Sequence, residues 1–504
     1  MKILHLLWMA CTLHAIPCMA DDFLTHRLFR LSPSQSHRSA YTISANKDTL
    51  VDEIIDTLVI PAVVKVEGKE CIVKDIATNG FANCGFAQHV IISEGIETVG
   101  HAAFSGCSAM KSIAFPSSLR ELGDRVILGC ESLESITVSE ANPIFDSRDG
   151  CNAVVQKSGS TMLLGCANTS FPKGVDKIGK QAFFGCSGLE SLKIPSWIRT
   201  IGDYAFAGCT RLSGVTLPEG GEIQFGLSVF DGCSSLGQFH IPSGKFSFAS
   251  NPLTRCENIR RLTVASNCED WTSNKENTAV IYRDGQVLFI GCGETIIPEG
   301  IKHIACSAFE GCRRLRSVRV PSSVTRIGER AFAGCRNLTH VEVAPNNTVY
   351  DSRGGSDCII ETETNKIVCG SSLAVIPDDV EIIGKYAFSG MDIPAVFRIP
   401  ANVKVVEEGA FSRCQNLRSL HVPSKTRLNY NSFSGCASLE DVSFEKGNDV
   451  KLTDIFSCYR SPFFFCRNLS SVSIFGINVP IVRDGQFIGS EKMAEKVYDH
   501  ILLK

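Results

Sequence analysis

A repeat solenoid built from short β-strands is the fold class this sequence predicts, on three observations. Phe-x-x-Cys recurs at Phe81/Cys84, Phe104/Cys107, Phe183/Cys186, Phe206/Cys209, Phe230/Cys233, Phe309/Cys312, Phe332/Cys335, Phe411/Cys414, Phe433/Cys436 and Phe463/Cys466. Ile127/Cys130, Leu253/Cys256 and Phe388/Met391 fit the same frame as degenerate copies, and neighbouring copies stand 23 residues apart in six steps and 24 in one. A fixed period in this range is the mark of stacked repeats. The third observation is a longer step of constant length, 56 residues from Cys130 to Cys186, Cys256 to Cys312 and Cys335 to Met391.

The composition fits a folded chain: 504 residues, 44% hydrophobic, with 50 Lys+Arg against 53 Asp+Glu. Disorder throughout is excluded. A net charge of −3 over this length offers no broad footprint for nucleic acid or an anionic membrane.

In chain order, residues 1–20 read as a secretory signal peptide: Lys2, an apolar stretch from Ile3 to about Leu13, and small Cys18 and Ala20 before a cleavage point near Ala20. The apolar run is too short to span a membrane, and no later run approaches the required length. Residues 21–57 are polar and repeat-free, suiting a loose leader or an N-terminal cap. The solenoid is expected over 58–475. Its clearest unit runs Ile201-Gly202-Asp203-Tyr204-Ala205-Phe206-Ala207-Gly208-Cys209, then Leu212, Val215, Leu217 and Pro218. The alternation Val215-Thr216-Leu217 is that of a strand with one buried face. So short a strand needs the next turn's strand beside it in parallel. Gly208 and the Ile201-Gly202 bend are expected to turn the corners.

The long steps place inserts at about 139–172, 266–298 and 344–377. Two of them share Asn142-Pro143-Ile144-Phe145-Asp146-Ser147-Arg148-Asp149-Gly150 and Asn347-Thr348-Val349-Tyr350-Asp351-Ser352-Arg353-Gly354-Gly355, and the other carries Tyr282-Arg283-Asp284-Gly285. Asp-Gly between apolar runs predicts hairpins with two-residue turns. Asp146/Asp149 and Asp351/Asp357 lack the count and spacing of a calcium loop, so turn chemistry is their expected role. Residues 476–504 are expected to cap the last coil with a helix on which Met493, Val497 and Ile501 share a face; the alternative is a free, partner-binding tail.

The unit I-G-x-x-A-F-x-G-C-x-x-L-x-x-V-x-I-P resembles the BspA-like, or Treponema-type, bacterial leucine-rich repeat, over roughly Leu58 to Ile474. The resemblance implies a curved leucine-rich-repeat array with parallel strands on its concave side, in secreted or surface-displayed proteins used for binding and adhesion. It implies no particular ligand.

Twelve cysteines share one repeat position, spaced about 4.8 Å apart if stacked. Parallel Cβ vectors and the Met391 substitution favour a buried ladder of free thiols over disulfides or zinc. Cys151, Cys166, Cys292, Cys358 and Cys369 lie in the inserts, where local pairing stays open. No hydrolase, metalloprotease or phosphate-loop signature occurs. His303 and Cys306 make a pair at corner positions without a base geometry that the sequence certifies. No catalytic residue, metal or cofactor is expected.

What the repeat presents is a face. The outward strand residues include Lys193, Thr216, His240, Arg319, Glu342, Arg398 and His421, and Arg261, Arg316 and His340 flank them. Stacking is expected to line these into one row of mixed charge, densest around Arg319, Glu342 and Arg398. The expected function is a secreted or cell-surface, non-catalytic binding or adhesion protein, monomeric, with an extracellular protein or glycan as ligand. The alternative is a self-assembling structural component of the cell envelope.

Overall fold

The computed structural model of the chain describes residues 28–47, 55–448, 461–474 and 477–480. The signal peptide expected over 1–20 and the helix expected to cap the C-terminus lie outside them. The chain divides into two compact units, Met1–Leu189 and Glu190–Lys504. In both, parallel strands stack from one repeat to the next. Helix is nearly absent among the described residues, confined to 3₁₀ turns such as Arg148–Gly150 and Arg353–Gly355.

In the first unit each coil contributes to three walls. Strands Ile55–Ile60, Ala87–Ile92, Ser112–Phe115 and Ser135–Val138 form a parallel sheet, with Leu58, Val90, Ile113 and Ile136 buried in register. The second wall is a ladder of very short strands, Thr98–Val99 and Glu121–Leu122, beside the end of Lys69–Ile76. The third is the Phe-x-x-Cys turn. There the N–H groups of Asn79, Phe81 and Asn83 donate to the next coil's His101, Ala103 and Ser105 carbonyls at 2.9, 2.7 and 2.6 Å.

These turn bonds require a left-handed residue on either side of each Phe. Two positions after it, Gly106 and Gly208 have φ of 74°, which glycine adopts without steric cost. Two positions before it, Ala102 and Tyr204 adopt φ of 50° and 54°. The glycine of the Ile-Gly bend serves a different purpose from the expected corner: a Cβ on Gly328 would lie 2.4 Å from the backbone nitrogen of Cys306 one coil earlier. It is there for close approach, not for a positive φ.

Residues 28–47 are more ordered than a loose leader. Phe29–Pro33 and Tyr41–Ala45 pair antiparallel, and the latter runs parallel to Lys69–Ile76. Phe29 meets Phe81 edge-on at 6.1 Å.

Each long step holds three antiparallel strands, the last of which joins the short-strand ladder. In the first unit these are Phe145–Asp146, Ala153–Gln156 and Thr161–Gly165, the last parallel to Lys177–Ile178. In the second unit Trp271–Ser273, Ala279–Tyr282 and Val287–Gly291 precede His303–Ile304, and Tyr350–Asp351, Cys358–Glu361 and Lys366–Gly370 precede Ile382–Ile383. The expected two-residue Asp-Gly turn does not form. Asp149-Gly150 sits in a 3₁₀ turn between the first two strands, and Asp284-Gly285 lies in the four-residue link between Ala279–Tyr282 and Val287–Gly291. A bulge interrupts each of the longer antiparallel pairs, between Val154 and Val155 and between Val280 and Ile281. Across the inserts the turn wall keeps only part of its bonding: Arg125 Nε donates to Gln181 Oε1 at 3.0 Å, Asn251 Nδ2 to the Ser307 carbonyl at 2.8 Å, and Gly334 N to the Ser389 carbonyl at 2.6 Å, while the Ala182, Ala308 and Ala387 carbonyls accept instead from Gly165, Gly291 and Gly370 of the inserts.

The Phe side chains stack, as at Phe81–Phe104 (5.4 Å) in the first unit and Phe309–Phe332 (5.2 Å) in the second. The ladder cysteines are more than apolar filler. Where a Phe-containing coil directly precedes, the thiol donates to that Phe's carbonyl: Cys107 to Phe81 (3.2 Å), Cys335 to Phe309 (3.1 Å), Cys436 to Phe411 (3.1 Å). Cys358 and Cys369, open to local pairing from the sequence, stand opposite Gly370 and Ile359 respectively, one residue out of step across the antiparallel pair. Their side chains therefore point to opposite faces.

Burial pushes the thiols of Cys84 and Cys358 up to about 12. The unfolded chain ionises near a thiol's ordinary value of about 8.5 while the folded chain keeps its protons. Stability is therefore complete below about pH 8.5 and falls as pH rises towards 12, by about 1.4 kcal/mol per pH unit for each such thiol. Urea midpoints taken between about pH 8 and 11 should fall along that slope, and Cys358→Ser should make the slope shallower; a slope unchanged by the substitution would refute the assignment.

Candidate functional site

The outward strand residues of the second unit are placed by the alternation that buries their neighbours. In Ser317–Val320 the side chains of Val318 and Val320 go into the core and Arg319 is left outside; in His340–Val343 the same holds for Val341, Val343 and Glu342. Lys193, Thr216, His240, Arg261, Arg316, Arg319, His340, Glu342 and Arg398 are exposed, and His421 is half-buried.

These residues do not form one row. They stand on four separate parallel ladders: Lys193 beside Thr216, His240 beside Thr263, Arg319 beside Glu342, and Arg398 beside His421, Ser443 and Ser473. Two of the breaks are made by the inserts, which occupy the edge where the next repeat's strand would pair. The Leu262 N–H, next to Arg261, donates to the Asn277 carbonyl at 2.7 Å, and the Val341 N–H donates to Asp357 Oδ1 at 3.0 Å. The remaining break lies between Thr216 and His240, where the step from Cys209 to Cys233 is 24 residues. Arg319 and Arg398, grouped from the sequence, thus lie on different sheets.

Within a ladder the side chains hold one another. Arg319 Nε lies 3.4 Å from Glu342 Oε1, and His240 Nδ1 lies 2.8 Å from Thr263 Oγ1. His421 Nδ1 lies 3.0 Å from Ser443 Oγ and its Nε2 lies 3.1 Å from Glu445 Oε1. The His421 contact and the Ser424 N–H hold the Glu445 carboxyl below the usual range. His340 Nδ1 is 2.8 Å from Asp357 Oδ1, so an insert residue fixes a residue of the face. Arg316 joins through its backbone, its carbonyl accepting from Thr339 and His340. Asp357 and Glu445 are members of this surface that the strand pattern did not reveal. Glu445 follows the strand it serves and was findable from the period; Asp357 comes from an insert and was not.

The other candidate chemistry is spoken for. Arg148 grips Asp146 at 2.9 and 2.8 Å, and Arg353 grips Asp351 at 2.8 and 2.6 Å, which is turn chemistry. No group of three or more His, Cys, Asp or Glu side chains suited to a metal occurs among the described residues. His303 and Cys306 are both exposed. No helix among the described residues is long and apolar enough to cross a membrane.

The family model for the BspA type leucine rich repeat region matches in six copies, over residues 73–148, 163–275, 286–358 and 368–494. Among curated proteins none matches. Among solved structures the chain is similar to a leucine rich cell surface protein from Faecalibacterium prausnitzii (19% identity, 89% of this chain and 93% of that one, TM-score 0.38). It is also similar to a leucine-rich repeat protein from Bacteroides ovatus (20% identity, 83% and 94%, TM-score 0.32) and to the pneumococcal vaccine antigen PcpA (15% identity, 87% and 91%, TM-score 0.37).

Proposed function

The chain belongs to the BspA-type leucine-rich repeat family, and from that premise we propose that it is a non-catalytic binding or adhesion protein, displayed outside the cytoplasm after cleavage near Ala20, whose ligand is an extracellular protein or glycan. The observation that carries this reading is the exposed strand face of the second unit. Its polar side chains are held in cross-strand pairs above a continuous apolar core. Side chains fixed before contact lose little freedom on binding. The division into four ladders suits several small contact areas better than one large one.

An array of glycans and extracellular-matrix proteins probed with the mature chain tests the proposal. A binder should lose about tenfold in affinity when Arg319→Glu and Arg398→Glu are combined, a loss of ~1.4 kcal/mol. The urea midpoint should hardly move, because exposed ion pairs contribute about 0–1 kcal/mol. Absence of any binder, together with a mass that grows with concentration, would replace this reading with self-assembly.

A further inference from the structure

At two of the three inserts the ladder thiol loses its usual partner and another cysteine takes up the place. Cys107, Cys130, Cys335 and Cys414 donate to the preceding Phe carbonyl at 3.1 to 3.2 Å. Cys186 and Cys312, the first ladder cysteines after an insert, make no such bond among the described residues. The end of the insert's last strand lies there instead. Gly165 packs so closely on Phe183 that a Cβ would come within 2.3 Å of the ring, and Gly291 does the same on Phe309 at 2.1 Å. The following residues are Cys166 and Cys292. Cys166 and Cys186 line one small cavity, and Cys292 and Cys312 line its counterpart.

The third insert supplies the control. Gly370 packs on Phe388 in the same way, a Cβ coming within 2.0 Å. Here Ser371 stands in the place of Cys166 and Cys292, and Met391 in the place of Cys186 and Cys312. Met391 is the one ladder frame of thirteen without a cysteine, and it follows the one insert of three that lacks the cysteine after its glycine. Both members are present, or both are absent. The ladder cysteine before each insert, Cys130, Cys256 or Cys335, is present in all three and so does not vary with either. Buried thiols that only filled space would have no reason to be exchanged together.

We propose that Cys166 is joined to Cys186, and Cys292 to Cys312, by disulfide bonds. This rests on the extracytoplasmic reading above, since such bonds persist in oxidising compartments. In forming each bond one S–S bond is made and the S–S bond of a disulfide oxidant is broken: the two cysteines lose two electrons and two protons, and the oxidant's two sulfurs take up both as thiols, the protons passing through solvent. The attack proceeds through a mixed disulfide and needs a thiolate. In the reduced, folded chain burial pushes Cys186 and Cys312 up to about 12, so the bonds form while the chain is still open and the folded core then shields them from exchange. The other ladder cysteines stay reduced.

The test is a peptide map of the full chain refolded in an oxidising glutathione buffer, with free thiols alkylated under denaturing conditions without reductant. The expected result is two linked peptide pairs, Cys166–Cys186 and Cys292–Cys312, and four fewer alkylated sites than in the reduced control, with Cys107, Cys335 and Cys414 alkylated. Full alkylation of the four, or linkage of any of them to Cys130 or Cys256, overturns the assignment. The combined variant Cys166→Ser and Cys186→Met copies the third junction; it should fold and lose the first link alone, and loss of both links would also count against the proposal. Cell fractionation is read separately: linked pairs in glutathione with the chain retained in the cytoplasm would defeat the extracytoplasmic reading and leave the pairing chemistry intact.

Discussion

Replacing Phe411 with alanine is expected to cost about 3–5 kcal/mol, the range for truncating a buried aromatic. Phe411 is fully buried. It stacks on Phe388 at 5.0 Å and 7° and on Phe433 at 5.0 Å and 5°, and Phe397 approaches at 5.1 Å. The loss therefore removes two stacked pairs as well as the buried area. Stability in a repeat array is a sum of each coil's own stability and its contacts with its neighbours, so the damage should be local. Hydrogen exchange should show early opening of the amides of Phe411, Arg413 and Gly435, which bond to Ser432, Ser434 and Phe464, while the Phe309 and Gly311 amides, bonded to Ala331 and Ala333, keep their protection. Uniform loss of protection across the second unit would defeat the local picture.

Asn142→Leu is expected to be nearly as severe although it exchanges one side chain for another of similar size. The Asn142 side chain has no exposure and makes four hydrogen bonds. Its Nδ2 donates to the Pro116 and Leu119 carbonyls at 3.0 and 2.9 Å, and its Oδ1 accepts from the Ile144 and Phe145 N–H groups at 2.9 and 2.8 Å. Buried N–H groups left without a partner cost about 1–3 kcal/mol each, so the whole change should cost roughly 3–4 kcal/mol. Asn347 makes the same four bonds in the third insert, to Pro321, Val324, Val349 and Tyr350. Urea denaturation of the two variants should give similar losses; a loss under 1 kcal/mol in Asn142→Leu would show that water or a shifted backbone replaces the amide.

The coil was legible in the sequence because its buried positions are set by side-chain type. Phe206, Cys209, Leu212 and their counterparts all face the core, and the period repeats the statement many times. The left-handed residue two places before each Phe was not legible. Ala102, Arg125, Tyr204 and Ser307 share no chemistry, and the conformation is imposed by hydrogen bonds between coils. The thiol bond was hidden for a related reason, since a cysteine in an apolar slot reads as filler until the Phe carbonyl behind it is seen. At the candidate site, which side chains face outward followed from alternation, and all but the half-buried His421 are exposed. Their division did not follow, because whether Arg319 and Arg398 share a sheet depends on what stands between strands Ser317–Val320 and Val396–Arg398. The hold of Asp357 on His340 crosses from an insert to a repeat, a relation no period encodes.

The turn bonds that persist across the inserts have a consequence for how such a chain can change. Coils on either side of an insert remain in direct register there, so the opposite side can lengthen or shorten without altering the pitch of the stack. Strands can in this way be added or removed beside the exposed face, provided that each addition ends on a residue as small as Gly165, Gly291 or Gly370, which the ring of the following phenylalanine requires.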